Sequence, residues 1–165
     1  MNFLQTKINE MKKRKEEGNK GFSLVELIIV IAIMAILVGI VGTQVIPYIN
    51  KSKESKDQQI VNSFSTAAVS SYSENAEDAA TTGIIKIFVY GTGTNAGNGA
   101  DKIAASIKEK TYNSVPTSKF KSKNGSQVAD IYIEIDVDNH TAVTKAVAAG
   151  NTEAIGGIKE VEADL

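Results

Sequence analysis

One carboxylate, Glu26, stands at the head of a run that is otherwise wholly apolar. From Leu27 to Val41 no side chain is charged or polar. A carboxylate within lipid costs about 2.5–3.5 kcal/mol on insertion scales, and such groups usually mark function. It needs a cation, and none follows in the chain until Lys51. The cation can be made rather than encoded. A cut between Gly21 and Phe22 frees an α-amino group, whose reference pKa of about 7.7–8.0 leaves it positive near neutral pH. Phe22 and Glu26 are then one helical turn apart, able to pair within one chain or between neighbours. Pairing between neighbours gives a row of subunits an electrostatic register, and proteolysis becomes the switch that permits it.

The elements that must position this pair follow from composition. The chain has 165 residues and a formal net charge of −1, enough for one modest domain and an appendage. The charge is uneven. Residues 1–20 carry six bases and three acids, so the rest holds about −4, which gives no electrostatic reason to expect nucleic-acid binding. The basic "KKRK" at 12–15 fits a positive-inside retention signal. Twenty residues from Phe22 to Val41 span about 30 Å as a helix, one hydrocarbon thickness. A secretory signal peptide has the same basic and apolar parts but should carry no acid at the head of the stretch. A generic signal anchor tolerates Glu26 poorly.

Beyond the apolar run the spacing predicts more helix. "NKSKESKDQQ" at 50–59 is polar, and then Ile60, Val61, Phe64, Ala67, Ala68 and Tyr72 recur at helical spacing with one buried face. Pro47 should kink or loosen this helix, with Gly39 and Gly42 adding flexibility upstream. From about Ala79 the pattern turns to strands. "GIIKIFVYG" at 83–91 reads as a strand, 91–100 as a flexible glycine-rich surface loop, and 101–110 as a short helix with Asp101 as N-cap. Asn124-Gly125 is a hairpin signal. Ile131 to Val137 alternates as a half-buried strand, residues 138–140 turn, and 141–148 returns antiparallel, with a last short strand near Ile158–Val161. The expected class is α+β: a long N-terminal helix packed on an antiparallel sheet of three to four strands. The expected segments are a leader at 1–21, a membrane and polymerisation helix at 22–45, its amphipathic extension at 46–73, and a globular head at 74–165.

"KGFSLVELIIVIAIMAIL" closely resembles the prepilin signature of type IV pilins, pseudopilins and competence pilins. The matching elements are the basic leader, Gly21 before the cut, Phe22 as first mature residue, Glu26 as fifth, and the apolar helix. They cover about 30 residues. The resemblance implies that a prepilin peptidase cuts after Gly21 and that Phe22 is N-methylated. It implies that Glu26 pairs with a neighbour's Phe22 amine during assembly. It also implies that Leu24, Val25, Leu27, Ile28, Ile31, Met34, Ile36 and Leu37 pack the filament core after anchoring the precursor. Other partners it implies are an assembly ATPase, a platform protein, the cytoplasmic membrane and further copies of the chain. The expected product is a surface filament for adhesion, motility or aggregation on host or abiotic surfaces. The alternative is a pseudopilin of a secretion system, or a competence pilin that takes up DNA. The chain departs from the family where many members carry a proline; Thr43 stands there, and any softening falls within Gly39–Pro47. With no cysteine it also lacks the C-terminal disulfide of many Gram-negative members, which leans towards a Gram-positive or anaerobic source.

Other candidates are weaker. The glycines at 91–99 lack the Lys-Ser/Thr and the spacing of a phosphate cradle. Asp136, Asp138, Asn139 and His140 are conceivable calcium ligands, yet they lack the helix-loop-helix spacing, and Asp-Asn is ordinary turn chemistry. Lys119, Lys121 and Lys123 alternate as if on one strand face, a solvated edge or a patch for an anionic surface or a neighbouring subunit. Asn50, Asn124 and Asn139 head N-x-Ser/Thr triplets. No nucleophile with its base, no paired catalytic carboxylates and no metal or cofactor motif stands out, so the expected role is structural rather than enzymatic.

Overall fold

The computed structural model describes residues 2–18 and 23–165. The chain divides into two units, Met1–Ile46 and Pro47–Leu165. The first holds helix α1 (Asn2–Gly18) and the apolar helix α2 (Leu24–Ile40). A π-helical turn, Val41–Val45, leads into α3 (Ile46–Glu74), so the chain is helical from Leu24 to Glu74.

The second unit is a helix-on-sheet fold, the α+β arrangement anticipated from the pattern. Strands β1 (Ile84–Phe88), β2 (Asp130–Asp136), β3 (Thr141–Val147) and β4 (Val161–Asp164) form one antiparallel sheet in the order β1-β2-β3-β4. Helix α4 (Ala100–Lys110) packs beside β1. Alternation decides what each face meets. Ile85, Ile87, Ile131, Ile133, Ile135, Ala142 and Ala146 point inward and are fully buried under Val61, Phe64 and Ala68 of α3 and Ile103 and Ile107 of α4. Phe88, Tyr132 and Val147 form a smaller cluster of their own. Phe88 and Tyr132 are cross-strand partners, ring centroids 5.0 Å apart, a pairing that stabilises a sheet locally.

Several local expectations are corrected. Asn124-Gly125 makes no hairpin. Asn124 has φ −86° and Gly125–Gln127 is a single 3₁₀ turn, because this loop is gripped by α3 rather than by a facing strand. Lys119, Lys121 and Lys123 therefore lie on an irregular loop, not on a strand face. Helix α4 begins one residue early, with Gly99 at its N-cap in the left-handed region; Asp101 instead accepts a bond from the Asn95 side chain. The last strand falls at Val161–Asp164, shifted so that it shares only Val161 with the stretch expected, where it can pair with Thr141–Thr144. The glycine-rich stretch is no free loop either. Ala96 exchanges both backbone bonds with Lys86, at 2.8 and 2.9 Å, and extends the sheet beyond β1. Gly93 lies against the Phe88 ring, where a Cβ would meet Cζ at 2.5 Å.

Candidate functional site

Glu26 lies in the first turn of α2, and its neighbours explain how that turn starts. Ser23 is the N-cap, extended at φ −63° and ψ 140°. Its backbone N–H donates to Glu26 Oε2 at 2.9 Å, forming a capping box. Such boxes satisfy N–H groups that a helix start would otherwise leave bare, and a carboxylate there also suits the positive end of the helix dipole. The S-x-x-E spacing at 23–26 is visible in the sequence, and attention to charge alone passes over it.

Along α2 no residue is buried within the chain. Leu24 is 74% exposed and Met34 60%, with Val25, Leu27, Ile28, Ile31, Ile36 and Leu37 all more than half exposed. An apolar helix uncovered on every side must be covered by something else, either lipid or other apolar helices. By length and composition it can cross a membrane. Gly21 and Phe22 lie outside the described residues, in the interval between the end of α1 at Gly18 and the start of α2.

The distal end of α2 shows how Pro47 is accommodated. Pro47 has no N–H for the Thr43 carbonyl, its normal partner, nor for Gly42 one residue earlier. The chain responds by widening its turn. Ile46 N–H donates to Val41 O, the i−5 bond of a π turn. The Thr43 hydroxyl donates back to Gly39 O at 3.0 Å. Gly39 and Gly42 have nothing within 4 Å of where a Cβ would sit.

The head holds two buried carboxylates that the sequence pattern does not single out. Asp57, fully buried on α3, accepts the N–H of Lys121 at 2.8 Å and of Ser122 at 2.9 Å. Asp130, also fully buried, accepts from Tyr90 N (2.8 Å), Thr92 N (2.9 Å), Thr92 Oγ1 (2.9 Å) and Ile131 N (2.7 Å). Each carboxylate has both oxygens engaged by hydrogen bonds and ties a loop to the core. Burial pushes the Tyr90 hydroxyl up to about 12, and it donates to Tyr112 O. Burial likewise raises the Tyr132 phenol, which donates to Glu134.

In the 136–140 turn the carboxylates are engaged by neighbouring amides. The Asn139 side chain (2.7 Å) and N–H (3.0 Å) donate to Asp136 and hold its carboxyl below the usual range. Asp138 accepts from Gly83 N at 3.0 Å. Among the described residues, no group of three or more His, Asp or Glu side chains is placed to hold a metal ion.

Residues 18–42 match the family model of the prokaryotic N-terminal methylation motif, the leader motif of type IV prepilins. The matched stretch contains Gly21, Phe22, the Ser23–Glu26 box and α2. No curated protein and no solved structure matches the chain.

Proposed function

We propose that this chain is the precursor of a type IV pilus subunit. It is held in the cytoplasmic membrane by α2, trimmed between Gly21 and Phe22 by a prepilin peptidase, N-methylated at Phe22, and polymerised into a surface filament. The observation that carries this reading is the placement of Glu26: a carboxylate one turn into a helix that is bare and apolar on every side, within the matched motif. In lipid that acid is costly unless it finds a cation, and trimming supplies one on a neighbouring chain. Apolar packing of Leu24–Val41 between copies supplies the cohesion, because those side chains find no cover in their own chain. The π turn before Pro47 supports a reading of residues 39–47 as the stretch where the helix yields during packing.

The head, in this scheme, is a spacer and display surface rather than an enzyme. Its buried acids are consumed in holding loops. The same apparatus would serve a secretion pseudopilin or a DNA-uptake pilin, and we take the surface pilus as the leading assignment. The experiment is N-terminal sequencing of the protein from its native host. A mature chain beginning at Phe22 is expected; one beginning at Met1, or beyond Glu26, overturns the reading. Electron microscopy with an antibody to the head then separates long surface fibres from short secretion pseudopili.

A further inference from the structure

Three of the twelve lysines in the head stand in salt bridges. Lys102, Lys110 and Lys145 form salt bridges with Asp78, Glu74 and Glu160. Among the described residues no ion pair engages Lys51, Lys53 and Lys56 near the start of α3, Lys119, Lys121 and Lys123 on the loop, or Lys159 near the C-terminus, and these seven are exposed. Lys86 and Lys108 elsewhere in the head also form none, and two lysines lie over rings, Lys119 over Tyr112 at 5.0 Å and Lys108 over Tyr90 at 5.8 Å.

The seven are far apart in sequence, and the fold gathers them. Asp57 holds the loop against α3 through the N–H groups of Lys121 and Ser122. Gln58, one residue on, clamps the Lys159 peptide from both sides, its Nε2 donating to Lys159 O at 2.9 Å and its Oε1 accepting from Lys159 N at 2.8 Å. Asn124 joins the two outer segments by donating to Gly156 O. The result is a lysine collar around residues 51–59 of α3. Seven lysines face two acids, Glu54 and the buried Asp57, a formal +5. The rest of Pro47–Leu165 has five lysines against thirteen acids, a formal −8. An open groove of about 510 Å³ lies between Lys51 and Lys159; Glu54, Gln58, Gln59 and Asn62 also line it, so two ammonium groups there face one carboxylate.

In sequence, Lys51, Lys53 and Lys56 follow Val41, the last residue of the apolar run, by ten to fifteen residues. Lysines that follow a membrane span this closely are drawn to anionic lipid, their charge acting over a Debye length of about 8–10 Å.

We propose that the collar binds the phosphate headgroups of the membrane that anchors the precursor, with the Lys51–Lys159 groove seating one headgroup. This rests on reading α2 as a membrane span. The anionic surface meets the collar while the acidic remainder of the head is repelled from it, so the charge asymmetry orients the head as well as holding it.

The test uses the full chain in lipid nanodiscs. The protein has no cysteine, so Ser118→Cys, on the exposed loop beside Lys119, carries a single fluorophore. Quenching by lipids bearing a headgroup nitroxide is compared between phosphatidylcholine discs and discs enriched in phosphatidylglycerol. Quenching about threefold or more stronger in the anionic discs is expected, falling to the zwitterionic level above about 0.5 M salt. It should vanish in the Lys119→Gln/Lys121→Gln/Lys123→Gln variant and persist in Lys86→Gln/Lys108→Gln. Equal quenching in both lipids, or an unchanged triple variant, overturns the proposal. So does lipid-independent cross-linking between copies through Cys at position 118, which would assign the collar to a second subunit. Collar-dependent binding of duplex DNA without lipid discrimination overturns it as well. Alkali extraction separates the two levels of failure. A chain stripped from native membranes refutes the span and the collar together, whereas a chain that stays embedded without headgroup approach refutes the collar alone.

Discussion

Glu26 accepts the Ser23 N–H at 2.9 Å through one carboxylate oxygen, Oε2. A carboxylate has lone pairs on both oxygens, so Oε1 can take an ammonium while Oε2 keeps the helix cap. The acid can therefore hold its own helix start and meet a neighbour's chain end without exchanging one for the other. Cap and charge are separable by substitution.

Glu26→Val removes both functions, whereas Glu26→Gln keeps an acceptor at the third helical position, which serves a capping box as well as Glu does. Both variants should insert and be trimmed normally. If the charge sets assembly, both should lose surface filaments, counted by electron microscopy, by roughly tenfold or more, the scale of a lost partly buried ion pair. Normal filaments from Gln and none from Val would assign the effect to the cap.

Gly21 precedes the proposed cut, and a bulky residue there should obstruct the peptidase. Gly21→Leu is expected to leave the chain at precursor mobility on a gel while membrane insertion continues. A normal shift to the trimmed form would remove Gly21 from peptidase recognition.

Much of this arrangement was legible beforehand, and what was missed has a common cause. The apolar run, the Val61–Phe64–Ala68 face and the alternation of Ile131–Ile135 are local periodicities, and a period reports which side is buried. Asp57 sits in a polar decapeptide, and nothing local announces that a loop 64 residues away will surround it. The same contact explains Asn124-Gly125. Its hairpin propensity yields to a 3₁₀ turn because Asp57 fixes the loop from outside. The glycine-rich stretch misled likewise: Gly93 is required by the Phe88 ring, a neighbour known only once the sheet is assembled. At the site, the S-x-x-E spacing of residues 23–26 is itself a helix-start signal, so Glu26 carries a cap as well as a charge.

The Asp57 clamp has a measurable worth. Asp57→Ala leaves the buried Ser122 N–H without its acceptor, at about 1–3 kcal/mol, and the partly buried Lys121 N–H at less. Gly125→Ala should act on the same joint, since its Cβ would lie 2.5 Å from Asp57 Oδ2 and 2.8 Å from Phe120 Cβ; such overpacking costs about 1–3 kcal/mol. Urea unfolding in detergent should show each single loss, and a double variant less destabilised than their sum, because Asp57→Ala also relieves the clash. Strict additivity would mean the contact is not shared.

Glu74, at the end of α3, accepts a hydrogen bond from Lys110 of α4, which holds its carboxyl below the ordinary value of 4.5. The sign follows from linkage. A carboxyl whose folded value is depressed contributes stability above its unfolded value, and that contribution is lost as pH falls through the folded one. Both partners are partly in water, so the effect on unfolding should be small. The titration itself is the sharper readout. The Glu74 carboxyl resonance should reach its midpoint below the ordinary glutamate value, and Lys110→Met should move it upward. A midpoint unmoved by Lys110→Met would mean the α3–α4 ion pair does not persist in solution.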